Sequence, residues 1–351
     1  MKILIIRNDR IGDLISTTLI ISQLRHIFRN KSLSFDLICS NYGYIYASKI
    51  KGEISSIYVN DRSISPINDI KLIKKIRNNN YDLCLSLSPN NKSFLLNIAS
   101  KAKIKCTIRI LKKNGNSKPV RFLSRYFDLF MDVKNDRNYG DLTWSDFYSK
   151  LSKNIYKFIQ KKEYSELHLL PSKYLKPKIS YSLDKSIINK RIIVHIDEKW
   201  ELSKIKIDNL AEIILKLSSN KRVLITSNYL KTKFNKDLDS KLGFKINENN
   251  SIAKSHITKN LILLNPVKKD NSNSYLNKLI QCVSLCNCVV QIHGGIGHFA
   301  GSFDRNIINL KTKNENLQKL YKIQTKGSYL DLYIKNSEEF KREIFTFTKK
   351  N

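Results

Sequence analysis

The sequence predicts two α/β domains with parallel sheets, because the same features recur in both halves of its 351 residues. Short apolar runs, such as residues 2–7 and 191–196, are typical of strands buried on both faces of a parallel sheet. Stretches of helical periodicity separate these runs. Hydrophobic residues make up 41% of the chain, which is enough for a core in each half. The expected architecture is therefore two doubly wound α/β domains.

In the first half, strands are predicted over residues 2–7, 34–39, 54–59 and 82–87, and helices over 14–28, 66–77 and 141–160. Residues 161–190 are polar, contain Pro171 and Pro177 and lack sustained periodicity, so they are expected to connect the domains. The predicted first domain is 1–165, on the acceptor side, and the second is 166–335.

In the second half, strands are predicted over residues 191–196, 222–226, 260–264, 288–292 and 306–310, and helices over 208–217, 273–285 and 338–348. The final segment, 336–351, is expected to be a helix that packs back toward the first domain. Ligands of such folds bind beyond the carboxyl ends of the strands, so the loops there are expected to carry the chemistry.

The formal net charge is +33, from 63 Lys+Arg against 30 Asp+Glu. Either a polyanionic partner or a drift in composition toward Lys, Asn and Ile explains this excess. The cations are spread along the chain and form no recognisable nucleic-acid module, so nucleic acid is not an expected partner. Peripheral contact with an anionic membrane is compatible with the charge.

The six cysteines indicate a reducing compartment and no metal. Cys39, Cys84 and Cys288 lie in apolar runs and are expected in the core. Cys282, Cys286 and Cys288 lack a CxxC pair or a nearby His, so they do not form a zinc pattern. No secretion signal or membrane span is recognised, and a cytoplasmic protein, peripheral at the inner membrane face, is expected.

A first motif, RNDRIGD at residues 7–13, directly follows the first predicted strand. Gly12 would permit a tight turn. Asp13 would either cap the next helix or act as the general base that takes a proton from an acceptor hydroxyl. Arg7 and Arg10 would hold acidic groups of the acceptor or be solvated.

A second motif, VQIHGGIGHFA at residues 290–300, follows a strand and opens a helix. The small residues Gly294 and Gly295, which follow His293, and the helix N-terminus suit the phosphates of a nucleotide diphosphate. His298 would reach a phosphate or the ribose. The spacing differs from the GxGxxG dinucleotide fingerprint, and glycines that serve only the turn are the alternative.

A third motif, VHIDEKW at residues 194–200, follows the first strand of the second half. Lys199, or Lys204 four residues beyond Trp200, would neutralise charge on a diphosphate. Trp200 would pack on a base, line the cleft, or be a core residue.

These three motifs resemble those of the ADP-heptose:lipopolysaccharide heptosyltransferases, glycosyltransferase family nine. The stretch KILIIRNDRIGDLISTTLIISQLRHIF is similar to the N-terminus of that family, and residues 192–217 and 276–300 are similar to two segments of its second domain. The resemblance spans both halves, with residues 90–190 matching only in outline.

The resemblance implies a GT-B fold with the active site between two Rossmann-like domains, and an inverting, metal-independent transfer without a cofactor. It implies a nucleotide-sugar donor, ADP-linked, and a glycolipid or oligosaccharide acceptor of lipopolysaccharide type. Asp13 falls on the family's proposed base. Gly295, His298 and Ala300 match the donor loop, and Lys199 or Lys204 matches the donor-phosphate lysine.

The sequence departs from the family pattern in the donor loop. His293 replaces an Asp, Gly294 replaces Ser or Thr, and Ile196-Asp197 replaces a Pro-Gly pair. These changes indicate a divergent subfamily that transfers heptose or a similar sugar, and they motivate an alternative: a catalytically inactive GT-B-like binding protein.

Overall fold

A computed structural model describes residues 1–61, 66–111, 122–134, 143–165, 173–203, 205–247, 249–267, 270–311, 322–333 and 337–350. The chain divides into two compact units, Met1–Lys178 and Ile179–Asn351. The division lies C-terminal to the one predicted after residue 165, because Leu175 belongs to the first unit. Its amide donates to Thr18 Oγ1 (3.2 Å), and its carbonyl accepts a hydrogen bond from the Tyr46 hydroxyl.

The first unit contains a six-stranded parallel sheet in the order β3-β2-β1-β4-β5-β6. Its strands are β1 (Lys2–Arg7), β2 (Ser34–Cys39), β3 (Ser56–Val59), β4 (Leu83–Ser86), β5 (Ile104–Leu111) and β6 (Leu129–Lys134). Its helices are α1 (Ile11–Ile27), α2 (Asn41–Ala47), α3 (Pro66–Arg77), α4 (Asn91–Ala99) and α5 (Trp144–Gln160), with a short 3-10 helix at Ser48–Ile50.

Burial explains why the ends of β1 are well marked in the sequence and those of α1 are not. Ile3, Leu4, Ile5 and Ile6 of β1 are all fully buried, as expected for a central strand covered on both faces. Helix α1 is buried on nearly every side, including its small polar residues, and it packs against α2 and α5. A helix buried all round has no single apolar stripe, so its boundaries are weakly marked in the sequence.

The second unit contains a seven-stranded sheet in the order β13-β12-β11-β7-β8-β10-β9. Its strands are β7 (Ile192–Ile196), β8 (Val223–Ser227), β9 (Ile252–Lys254), β10 (Leu261–Leu264), β11 (Cys288–Ile292), β12 (Asn306–Lys311) and β13 (Tyr329–Tyr333). Its helices are α6 (Lys185–Ile188), α7 (Lys199–Leu202), α8 (Ile207–Asn220), α9 (Lys233–Lys241), α10 (Ser272–Leu285), α11 (Gly295–Ser302) and α12 (Ser337–Lys350).

The second sheet is parallel, as predicted, except at one edge. Strand β9 runs antiparallel to β10. Few residues separate these two strands, and a parallel pair needs a crossover connection of roughly a dozen residues or more. The antiparallel arrangement is the one that this short connection permits.

The C-terminal helix α12 packs on the core of the second unit, and its return toward the first domain stays a prediction. Ile344 is buried in the core of the second unit, among residues that include Leu217 and Leu332. Lys221 Nζ also donates to the carbonyl of Thr348 (3.0 Å). Apolar contacts with α8 and β13 therefore determine where the helix lies.

All six cysteines are buried free thiols, as expected for core residues, and burial raises the pKa of Cys84 to about 12. Within the described residues, no helix is long and apolar enough to cross a membrane. Likewise, the described part of the chain contains no group of three or more His, Cys, Asp or Glu side chains that could hold a metal ion.

Candidate functional site

The first motif lies where the winding of the first sheet reverses, between β1 and β4. The guanidinium of Arg7, at the end of β1, donates to the carbonyl of Leu87, just beyond β4. The amide of Asn8 donates to Ser88 Oγ (3.2 Å). Open α/β sheets bind ligands at such switch points, beyond the carboxyl ends of the strands.

Arg7 is buried and paired with two carboxylates, which leaves little of its guanidinium for the acceptor contact that the sequence predicts. Its residue exposure is 3%. Its Nε lies 2.9 Å from Asp9 Oδ1 and its Nη2 lies 3.2 Å from Asp13 Oδ1. Burial by itself would lower the pKa of Arg7, but the charges of Asp9 and Asp13 raise it above its usual value. Arg7 therefore forms a buried ion pair with the carboxylate of Asp13.

Asp13 is the third residue of α1, and the helix is capped by Arg10, which makes no side-chain cap hydrogen bond. The interpretation of Asp13 as an N-cap is therefore wrong. Gly12 is also inside the first helical turn, so it does not form the predicted tight turn. The Asp13 side chain keeps 29% of its exposure, and its role as general base stays a prediction.

A buried polar network that the sequence does not reveal supports Asp13. The hydroxyls of Ser16 and Thr17 donate to the carbonyl of Asp13 (2.8 and 2.9 Å). Thr17 Oγ1 lies 3.2 Å from the hydroxyl of Tyr148, a fully buried residue of α5. Tyr148 is 131 positions away in sequence and lies outside the recognised motifs, so sequence reasoning misses it.

An open depression of about 450 Å³ lies at the carboxyl end of β1, where residues 8–11 of the first motif form part of its lining. Its lining residues are Asn8, Asp9, Arg10, Ile11, Ser40, Tyr42 and Asp61. Tyr42 is 54% exposed, and Arg10 is exposed as well. Asp61 Oδ1 accepts a hydrogen bond from the amide of Asn41 (2.9 Å). The depression thus combines an open aromatic ring with carboxylates, an amide and one exposed cation.

The second and third motifs meet at the switch point of the second sheet, between β7 and β11. Lys199 Nζ lies 3.0 Å from Asp197 Oδ2, after β7, and donates to the carbonyl of His293 (2.6 Å), after β11. Lys199 therefore joins the two loops. Lys204, the alternative phosphate ligand, lies outside the described residues.

The glycines of the donor loop lie where a ligand could approach the backbone. Gly294 is the extended N-cap of α11, and Gly295 is the first helical residue. A Cβ atom at Gly294 would lie 3.0 Å from Lys199 Nζ, which is a tight contact. A small residue at this position keeps the lysine beside the helix N-terminus, where amide groups favour an anion.

The two histidines of the donor loop face each other. Their ring centroids are 5.9 Å apart and the planes are nearly perpendicular. Burial, with the nearby His298 and Lys199, lowers the pKa of His293 well below its usual value. His298 is only 4% exposed, so it offers less of its ring to a ligand than predicted.

Trp200 is a core residue, and the interpretation that it lines the cleft or packs on a base is wrong. It is fully buried, and its Nε1 donates to the carbonyl of His195 (2.8 Å). His195 in turn contacts Thr226 Oγ1 through Nδ1 (3.0 Å). Burial, followed by the charge of Lys199, lowers the pKa of His195 to about 3.

Two Rossmann-like units, each with candidate ligand-binding loops at its own switch point, define the GT-B class of fold, and the chain has this fold. No protein-family model matches the sequence, and no curated protein matches it significantly.

The chain is similar to the solved structure of ADP-heptose lipopolysaccharide heptosyltransferase II from E. coli, with 14% identity over 100% of both chains and a TM-score of 0.68. It is also similar to E. coli heptosyltransferase WaaC, with 11% identity over 100% of both chains and a TM-score of 0.64. A glycosyl transferase family 9 protein from Veillonella parvula is 12% identical over 98% of this chain and 89% of that chain, with a TM-score of 0.63. Likeness at such identities shows the fold, and it agrees with the resemblance predicted from the motifs.

Proposed function

We propose that the chain is a glycosyltransferase that moves a sugar from a nucleotide diphosphate donor to a surface-glycan acceptor. The observation that carries this proposal is the placement of Asp13 and Lys199, each at the switch point of its own sheet. The solved structure of WaaC with ADP-2-deoxy-2-fluoro heptose has the same fold, which supports a nucleotide-sugar donor. An ADP-linked sugar is the donor we propose to test first.

The donor diphosphate is proposed to lie at the N-terminus of α11, beside Lys199. An ammonium group has three N–H donors. Lys199 uses one on Asp197 and one on the carbonyl of His293, so the third can reach a phosphate oxygen. The lysine and the amides of Gly294 and Gly295 supply the positive charge that stabilises the departing diphosphate, so the proposed transfer is metal-independent.

In the proposed transfer, the carboxylate of Asp13 accepts the proton of an acceptor hydroxyl. The hydroxyl oxygen forms a bond to the anomeric carbon, the bond from that carbon to the diphosphate oxygen breaks, and the configuration inverts. Arg7 orients Asp13 by holding Oδ1, and the partial exposure of the carboxylate leaves room for substrate.

The acceptor is proposed to bind in the depression at residues 8–11, the loop that leads into the helix carrying Asp13. An exposed ring such as Tyr42 suits the apolar face of a sugar, and Asp61 and Ser40 suit its hydroxyls. Arg10, the exposed cation of the lining, is the group we propose for an acidic substituent of a lipopolysaccharide-type acceptor. The excess of positive charge supports work in the cytoplasm against an anionic inner membrane face.

The first experiment is a thermal-shift screen against ADP-, GDP- and UDP-sugars, followed by a transfer assay with the donor that stabilises the protein. Asp13→Asn should keep the donor-induced shift in Tm and lose about 10²-fold or more in kcat. Asp208→Asn is the matched control, because Asp208 is an exposed aspartate in the first turn of α8.

Near-normal transfer by Asp13→Asn with an intact fold would eliminate Asp13 as the base. Stabilisation of the wild-type protein by nucleotide sugars, without turnover on any glycan acceptor, would favour the inactive GT-B-like binding protein instead.

A further inference from the structure

The outward face of α3 combines exposed isoleucines with a uniform positive charge. Ile67 and Ile70 are 69% and 55% exposed, whereas Leu72 and Ile76 on the opposite side are buried. The exposed apolar and charged residues of this helix are Ile67, Ile70, Lys71, Lys74, Lys75 and Arg77. Since they include no carboxylate, this face lacks the mixture of signs that is usual on solvated helices.

Helix geometry places these side chains on one stripe. Positions 67, 70, 71 and 74 recur at the spacing of one helical face. Asp69, the only acidic residue of α3, is turned away from this stripe: it accepts from Asn60 Nδ2 (2.7 Å) and pairs with Lys92 (3.0 Å). The stripe is therefore apolar at its N-terminal end and cationic toward its C-terminal end.

The apolar end of the stripe lies close to the depression that residues 8–11 and Asp61 line. Lys92 pairs with Asp69 in the first turn of α3 and also donates to the carbonyl of Asp61 (2.7 Å), which lines the depression. Leu95, on the adjacent helix α4, is also 54% exposed. A flat partner that covers this surface would therefore lie beside the mouth of the depression.

We infer that the outward face of α3 docks on an anionic lipid bilayer. Ile67 and Ile70 insert among the headgroups, and the lysines that follow them bind the lipid phosphates. Shallow apolar insertion and a basic patch are the two signals that reversible membrane binding requires together. A single sign of charge along an exposed helix face, with apolar side chains at one end, fits an anionic bilayer better than a protein partner. The inference rests on the proposed function in one respect, the contact with an anionic membrane face, and deepens it by assigning that contact to α3.

The test is co-sedimentation of the full chain with vesicles of phosphatidylethanolamine and phosphatidylglycerol, and separately with vesicles of phosphatidylcholine. The protein should bind the anionic vesicles, release at high salt, and ignore phosphatidylcholine. Ile67→Ser/Ile70→Ser should lower the partition coefficient by about tenfold. The triple variant Lys71→Gln/Lys74→Gln/Lys75→Gln should lower it by about a hundredfold, at about fivefold per cation.

Matched controls come from the second unit. Ile246→Ser/Ile257→Ser makes the same change at residues that are 47% and 52% exposed. Lys233→Gln/Lys236→Gln/Lys245→Gln removes the same charge from other exposed lysines. Both controls should bind vesicles like the wild type, and all variants should keep its Tm and its response to nucleotide sugars.

An equal loss in the α3 variants and in the controls would show that overall charge, rather than this face, drives binding, and would overturn the inference. Absence of wild-type binding to anionic vesicles at low salt would overturn it as well. Because vesicle binding is measured without substrates, either failure is distinct from a failure of the proposed transfer.

Discussion

Replacing Lys199 with Met separates a structural role of this lysine from a role in donor binding. Lys199 neutralises Asp197, a residue that is 6% exposed. Burial raises the pKa of Asp197, and the charge of Lys199 offsets part of that increase. Removing one partner of a buried pair leaves an uncompensated charge and costs about 3–5 kcal/mol. We expect a loss of about 3 kcal/mol for Lys199→Met, near the lower end, because 21% of the lysine side chain is exposed.

The same variant should weaken binding of a nucleoside diphosphate. A hydrogen bond to a charged group contributes about 1.5–3 kcal/mol, which corresponds to a Kd about 10- to 150-fold higher. The double variant Asp197→Asn/Lys199→Met removes both charges. It should regain most of the lost stability, because no unpaired carboxylate remains, yet its affinity for the diphosphate should stay low.

Urea unfolding gives the free energy of unfolding, and titration calorimetry gives Kd for whichever of ADP, GDP and UDP raises the wild-type Tm most. Lys278→Met is the matched control, because Lys278 pairs with Asp270 at 2.8 Å with similar burial. It should lose stability without losing diphosphate affinity. A double variant that binds the diphosphate like the wild type would show that Lys199 only stabilises the fold, and would refute the assignment.

Three further predictions concern stability. Arg7→Met should lower the free energy of unfolding in urea by about 3–5 kcal/mol. Arg7→Lys should recover little of that stability, because a single ammonium nitrogen cannot contact Asp9, Asp13 and the Leu87 carbonyl together. As a control, Arg25→Met breaks an exposed pair with Glu53 and should cost at most about 1 kcal/mol. Gly297→Ala should cost about 1–3 kcal/mol, because its Cβ would overlap the buried Gln291 and Ile323 side chains, whereas Gly52→Ala, with open space around it, should be nearly neutral. Burial lowers the pKa of His195 to about 3 in the folded protein, so as pH falls this imidazole is protonated first in the unfolded chain. The free energy of unfolding should therefore drop between about pH 6.5 and 3, by at most about 1.4 kcal/mol per pH unit. His195→Gln should flatten that pH dependence.

The sequence predicts elements best where burial and turn signals agree. The predicted bounds of β1, β2, β11 and α3 are those of the structure. Helix α1 begins three residues before its predicted start at residue 14, because its N-cap, Arg10, carries no capping signal. Helix α4 is missed entirely, although Asn90 caps it by accepting from the amide of Ser93 (2.9 Å), because the preceding Pro89 reads as the end of a strand.

Strands at the edges of the sheets are missed for a different reason. Strand β13 pairs with only one neighbour, and β5, β6 and β9 lie in the outer part of their sheets. Lys105, Thr107 and Arg109 alternate with apolar residues along β5, so this strand lacks the continuous apolar run of a central strand. Continuous apolar runs therefore predict the central strands of each sheet and miss most peripheral ones, with β3 as the exception.

The spacing of residues in the first motif does not reveal which of its charged side chains are buried. Residues 7–13 contain two arginines that are equivalent as charges in the sequence, yet Arg7 is buried between two carboxylates and Arg10 is exposed at the depression. The difference follows from position: Arg7 is the last residue of a strand buried on both faces, whereas Arg10 lies at the start of the helix that follows. A buried cation is stable only with its charge compensated, so Asp9 and Asp13 are both needed next to Arg7. The N-cap interpretation of Asp13 fails for the same reason, because its carboxylate faces Arg7 while Arg10 occupies the cap position.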